Sequence, residues 1–266
     1  MEEKCNMNPT ITVITVCWNA ENEIKETVKS VFQQTFDNYE YLIVDGLSTD
    51  HTILFLKEEA KKANKEQKVR IISEEDHGIY DAMNKGIRYA KGDWLLFLNA
   101  GDRLDTNNIL DEVIPFLDED YDFIYGNAKY LSKEGEYIVE SKPIESISIG
   151  MPFCHQCVFS KRSIMLDTEF DTQYKICADY DMFSRAYTMG SKFYRFDSVI
   201  ADYRVGGFSE KHQDLMCKEI VRIKKKNGFI KHEGYSLLML RTRIVIGRAA
   251  KRVLPVFLRK MIRRAK

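Results

Sequence analysis

Between residues 11 and 98 short, continuously apolar runs alternate with helix-length segments that are apolar on one face only, and this alternation constrains the fold most. Ile11-Thr-Val-Ile-Thr-Val-Cys17 is a β-branched run of strand length, followed by Trp18-Asn19-Ala20 and a helical period on Ile24, Val28, Val31 and Phe32. Residues 41–44 repeat the strand, end in Asp45-Gly46 and lead to a helix over 51–62. A third strand is expected over 69–72, then a helix over 78–90 with Ile79, Met83, Ile87 and Ala90 inward, then a strand over 94–98. Strands without polar alternation are covered on both faces. The expectation is therefore an α/β fold, a mostly parallel sheet flanked by helices.

Beyond Asp102 the pattern loosens to a helix near 107–117, strand pieces at 123–125, 129–131 and 137–140, and helices over 178–189 and 210–226. Mixed strands there suit an extension of the sheet. No repeat or low-complexity linker divides the first 220 residues, so one domain is expected over 1–221, with a tail over 222–266.

The zero net charge hides an asymmetry. Residues 222–266 hold 15 of the 40 Lys+Arg and one of the 40 Asp+Glu, so the tail is net +14 and residues 1–221 are net −14. In the tail Arg241, Arg248 and Arg252 share a helical face opposite Ile246, Ala250 and Val253. Pro255 breaks the pattern before Val256-Phe-Leu258, Arg259, Lys260, Arg263 and Arg264. A basic, loosely amphipathic helical tail interleaved with Leu, Ile and Phe fits an anionic membrane surface, and nucleic acid is not an expected partner. With no apolar run of about 18 residues and no export signal, the expected location is cytoplasmic, peripheral on the inner face of the cell membrane. The six scattered cysteines, whose one C-x-x-C pair is Cys154 and Cys157, are expected as reduced and mostly buried thiols.

In open parallel sheets ligands bind outside the carboxyl ends of the strands. Asn19, Asp45, the Glu74-Glu75-Asp76 cluster and the stretch from Asn99 to Asp102 all fall there. Asp and Asn are also favoured as caps and turn formers. Four such positions at successive strand ends nevertheless point to a polar ligand and a cation. No G-x-G-x-x-G follows the first strand and no P-loop occurs, so a bound diphosphate needs neutralising by a divalent cation, Mg²⁺ or Mn²⁺, on carboxylate oxygens.

The ordered motifs resemble those of the family 2 nucleotide-sugar glycosyltransferases of the GT-A (Rossmann-like) fold. They are Val16-Cys-Trp-Asn19, Ser30-Val-Phe-Gln-Gln-Thr35, Ile43-Val-Asp-Gly-Leu-Ser-Thr-Asp50, Asp76-His-Gly-Ile-Tyr-Asp-Ala-Met-Asn-Lys-Gly86, Gly92-Asp-Trp-Leu-Leu-Phe-Leu-Asn-Ala-Gly-Asp102, His155-Gln156 and Ala178-Asp-Tyr-Asp181. Their wording is similar to the branch that builds exopolysaccharide, capsule and O-antigen units.

The resemblance implies Asp45 beside the base and ribose of the donor, with Asn19 on the same side. It implies Asp76, Asp81 and Asn84 as sugar or ribose contacts, Lys85 on phosphate, and His155 as a donor- or acceptor-binding group. Where the family carries Asp-x-Asp this chain reads Asn99-Ala-Gly-Asp102, which leaves Asp102 as the charged metal ligand. Asp179 takes the position of the general base, with Asp181 structural. The implied enzyme is an inverting glycosyltransferase, moving a sugar from a nucleoside-diphosphate donor to a hydroxyl of a saccharide, polyprenyl-diphosphate-linked in the membrane. The thinned metal motif keeps a non-catalytic, membrane-associated sugar-nucleotide binding subunit as the alternative.

Overall fold

A computed structural model describes residues 9–117, 120–206 and 212–232. Strand β1 (Ile11–Cys17) is buried along its whole length. Its neighbours β2 (Tyr39–Asp45) and β4 (Trp94–Phe97) run parallel to it, and β3 (Val69–Ser73) extends the parallel set beyond β2. Side chains alternate across a strand. Ile11, Val13 and Cys17 therefore pack with Ile24, Val28 and Val31 of α1 (Ile24–Phe32), Leu56 of α2 (Thr52–Lys62) and Leu110 of α4 (Ile109–Leu117). Ile14 and Val16 pack on the other face with Met83 and Ile87 of α3 (Ile79–Tyr89) and Met182 of α6 (Ala178–Thr188). The polar residues within β1 are satisfied: Thr12 donates to Glu40 Oε2 at 2.9 Å and Thr15 to the Leu98 carbonyl at 2.7 Å.

Beyond β4 the sheet changes character. It adds β8 (Val158–Lys161) antiparallel to β4, and β6 (Phe123–Ser132) antiparallel to β8. Next come β9 (Phe193–Arg204) parallel to β6 and β5 (Arg103–Leu104) antiparallel to β9, while β7 (Gly135–Val139) hangs on β6 as a hairpin. The α/β expectation holds, with parallel pairing concentrated in the first four strands and a mixed extension after Asp102. The pieces expected at 123–125 and 129–131 are one strand, interrupted by register shifts around Asn127. Gly126 sits at this irregularity because a Cβ there would lie 2.7 Å from the Ser198 carbonyl.

Strands β8 and β9 and the short α5 (Arg162–Thr168) lack a sequence expectation. Ile79, expected inward, is 47 % exposed: as the first residue of α3 it reaches past the sheet edge into the cleft. Helix α7 (Gln213–Lys226) crosses the expected boundary at 221, and Ile223 is buried in the core of the body beside Met182 and Phe183. The amphipathic segment expected from 241 onward lies outside the described residues. Among the described residues no helix is long and apolar enough to cross a membrane.

Candidate active site

Two hollows open at the carboxyl ends of the parallel strands and share Ile79 on their walls. The larger, about 530 Å³, is lined by Asn99, Asp102, His155, Gln156, Asp179 and Arg204 among others. The smaller, about 470 Å³, is walled by Val16, Trp18, Gly46, Asp76 and Gly78.

The floor of the larger cavity is a tight turn after β4. Asp102 N–H bonds the Asn99 carbonyl at 3.0 Å, and Gly101 takes φ +104°, a conformation that favours glycine. Thr27 of α1 fixes this turn by accepting from Gly101 N–H at 3.0 Å and donating to the Asp102 carbonyl at 2.6 Å.

The Asp102 side chain is 6 % exposed, and its Oδ1 accepts the Arg204 N–H at 2.7 Å. Burial pushes its carboxyl up to about 6, although the Arg204 N–H and a hydrogen bond from Gln156 hold it down. Two amide oxygens in the same wall, Asn99 Oδ1 and Gln156 Oε1, are buried with no hydrogen-bond partner. One carboxylate and two unpartnered neutral oxygens fit a hard divalent cation that takes its remaining ligands from phosphate and water. Among the described residues no group of three His, Cys, Asp or Glu side chains offers an all-protein cage.

Asp179 enters the same cavity from the first turn of α6. Its Oδ1 accepts the Tyr180 N–H at 2.8 Å and stands 3.3 Å from the Tyr80 hydroxyl, while Oδ2 is 3.3 Å from His155 Nδ1. On its other edge His155 Nε2 lies 3.4 Å from Asn99 Nδ2. Burial opposes charge on the imidazole, yet the Asp179 carboxylate outweighs it and raises the His155 pKa. Asp179 thus has one oxygen toward Tyr80 and one toward His155, in a cavity that also presents Asp102.

The expected donor-side residues divide. Asp76 lines the smaller hollow and its Oδ1 caps the Gly78 N–H at 2.9 Å. A Cβ on Gly46 would collide with the Asp76 carboxylate, which explains a glycine after Asp45. Asp45, expected beside the base and ribose, is wholly buried, lines neither hollow, and accepts from Ser48 N–H at 3.1 Å and the Ser73 hydroxyl at 2.6 Å, tying the ends of β2 and β3 to the loop between β2 and α2. Asn19, at φ +48°, organises that same loop by accepting Thr49 N–H at 2.8 Å.

Asn84, expected on the polar side of its helix, is buried, with both ends of its amide bonded to the Phe170 backbone at 2.8 Å. Asp81 accepts His77 N–H at 3.0 Å, and Lys85 pairs with Glu74 at 3.3 Å, so neither opens on a hollow. Asp181 is structural as expected, buried and bonded to Arg185 at 2.7 Å. Tyr80 and Arg204 join the larger cavity without a sequence expectation, and Gln156 enters only as the neighbour of His155. Tyr80 falls inside a quoted motif, whereas Arg204 ends a strand with no sequence signal.

Residues 12–187 match the family described as Glycosyl transferase family 2. A PGL/p-HBAD biosynthesis glycosyltransferase of Mycobacterium bovis (strain BCG / Pasteur 1173P2) is 29% identical over 206 residues, covering 76% of this chain and 79% of its own. In structure the chain is similar to the mannosyltransferase PcManGT of Pyrobaculum calidifontis in complex with GDP-Man and Mn²⁺, with TM-score 0.67 and 16% identity over 98% of this chain and 81% of that one. It is also similar to S. aureus TarS 1-349 in complex with UDP-GlcNAc, with TM-score 0.66 and 18% identity over 85% and 69% of the two chains. With the family matched across the sheet ends, the turn at Asp102 and the start of α6, the chain belongs to Glycosyl transferase family 2 and is a glycosyltransferase of the GT-A fold.

Proposed function

We propose that the protein transfers a sugar from a nucleoside-diphosphate donor to a hydroxyl of a saccharide acceptor, with inversion at the anomeric carbon. The observation that carries this reading is the presence of Asp179 and Asp102 on one cavity, the first held between Tyr80 and His155 and the second beside unpartnered amide oxygens. The smaller hollow adjoins at Ile79 and suits the base and ribose, with the Trp18 face and the Asp76 carboxylate as its recognition groups.

A divalent cation held by Asp102 with Asn99 and Gln156 would neutralise charge on the diphosphate. Asp179 takes the proton of the acceptor hydroxyl as that oxygen bonds to the anomeric carbon from the face opposite the diphosphate. The bond from the anomeric carbon to the diphosphate oxygen breaks in the same displacement, and one displacement inverts the centre. The His155 edge orients the Asp179 carboxylate. Tyr80 and Ile176 wall the same cavity.

The net +14 of residues 222–266 supports an anionic membrane surface as partner, on the inner face of the cell membrane. A polyprenyl-diphosphate-linked saccharide acceptor in cell-surface polysaccharide synthesis is consistent with it. The test is release of nucleoside diphosphate from UDP-, GDP- and dTDP-sugars with Mn²⁺ and a lipid-linked saccharide, by the wild type and by Asp179→Asn. Acceptor-dependent release that falls about 10²- to 10⁴-fold in Asp179→Asn is expected. Donor binding with no release would instead identify a binding subunit.

A further inference from the structure

Glu219 lies on the inner face of α7, 3 % exposed, and its carboxylate gathers three successive backbone N–H groups. Oε1 accepts from Lys175 at 2.8 Å, and Oε2 accepts from Ile176 and from Cys177 at 2.9 Å each. Consecutive amides turned to one point form an anion-binding concavity. Here the anion is a side chain of the protein itself, on a helix beyond the residues 12–187 that match the family. A carboxylate is kept in such a place only where charge-assisted hydrogen bonds offset its lost hydration.

The same loop is held from its other edge. The Tyr80 hydroxyl donates to the Ile176 carbonyl at 2.6 Å, so the N–H edge of residues 175–177 faces α7 while a carbonyl faces α3. Lys175 and Ile176 line the larger cavity, and Cys177 immediately precedes α6, two residues before Asp179. The direction in which α6 starts, and with it the place of the Asp179 carboxylate, is set by this double hold.

We propose that Glu219 is a positioning residue for sugar transfer: by gathering the amides of 175–177 it keeps Asp179 within reach of the acceptor hydroxyl, which makes α7 part of the reacting unit. This rests on Asp179 being the base. Glu219→Gln keeps the size of the side chain but turns an amide donor toward a loop N–H. The expected result is a fall in kcat of about 10- to 100-fold, with the KM for the nucleotide sugar and the binding of the nucleoside diphosphate unchanged.

Ile223→Ala loosens the same helix while leaving the hydrogen bonds from Glu219 to the loop in place, and is expected to lower Tm while keeping kcat. Should Glu219→Gln fail to fold, Glu219→Asp retains the charge, withdraws it by one carbon and should give the same split. The double variant Glu219→Gln, Asp179→Asn should be no slower than Asp179→Asn alone. Wild-type kcat in folded Glu219→Gln, an equal loss of kcat in Ile223→Ala, or a further full loss in the double variant would each overturn the proposal. Retained turnover in Asp179→Asn alone would remove the base reading itself, whatever Glu219→Gln does.

Discussion

The backbone N–H of Arg204 donates to Asp102 Oδ1 at 2.7 Å, joining the end of β9 to the turn after β4. The bond fixes the one charged group of the candidate metal site but does not offset its burial, since the carboxyl still rises to about 6. Asp102 is therefore a liability to the unliganded fold. Asp102→Asn should raise stability at pH 7.5 by up to about 3 kcal/mol, read by urea unfolding, while abolishing the stabilisation that donor and Mn²⁺ together give the wild type.

The same shift sets a pH dependence. The folded carboxyl, at about 6, lies above the ordinary range of an aspartate, so the native state holds the proton over a range where the unfolded chain has released it. Stability contributed by Asp102 is full below about 4, declines as pH rises through about 6 and is flat above. Metal-dependent donor binding runs the other way. It should strengthen about tenfold per pH unit below 6 and level off above it, because proton and cation compete for one carboxylate. Titration calorimetry from pH 5 to pH 8 checks both limbs, and Asp102→Asn should lose both.

Asn84 separates a donor contact from a structural one. With both ends of its amide on the Phe170 backbone, Asn84→Ala should cost about 2–3 kcal/mol in stability. The KM for the nucleotide sugar should stay unchanged at a temperature where the variant is folded. A raised KM with unchanged Tm would return Asn84 to the donor site.

Gly46→Ala tests the smaller hollow. The new methyl meets the Asp76 carboxylate, which must swing away from its bond to Gly78 N–H. Donor affinity should fall about tenfold or more, with Tm shifted little because the strain relaxes at the surface. Fluorescence of Trp18 on nucleotide titration gives the readout.

The first four strands and the helices between them could be read from the residues because each apolar run stands beside a one-faced helix. Strand β9 could not: its half-buried, charge-bearing sequence follows no period, and its position between β6 and β5 is set by tertiary pairing. In the site, Asp76 and Asp102 stood out as polar groups at strand ends, whereas His155 and Asp179 were singled out only by the resemblance of their motifs to the family. Asp45 and Asn84 share that chemistry but are claimed by Ser48, Ser73 and Phe170, contacts that appear only once the chain is folded. Glu219 is an acid in the middle of a helix flanked by Lys218 and Ile220, and nothing local marks it as a buried hub.

The order in which the cavity is completed has a consequence for synthesis. A nascent chain can close the parallel pairing of β1 with β2 and β4 once residue 97 has left the ribosome, and the turn at Asp102 follows directly. The Asp102 carboxylate then waits for Arg204, and the amides of 175–177 wait for Glu219. A partly translated chain can thus hold the smaller hollow formed for more than a hundred residues of elongation before the wall that carries Asp179 is set, so on the proposed function donor binding should precede transfer competence during translation.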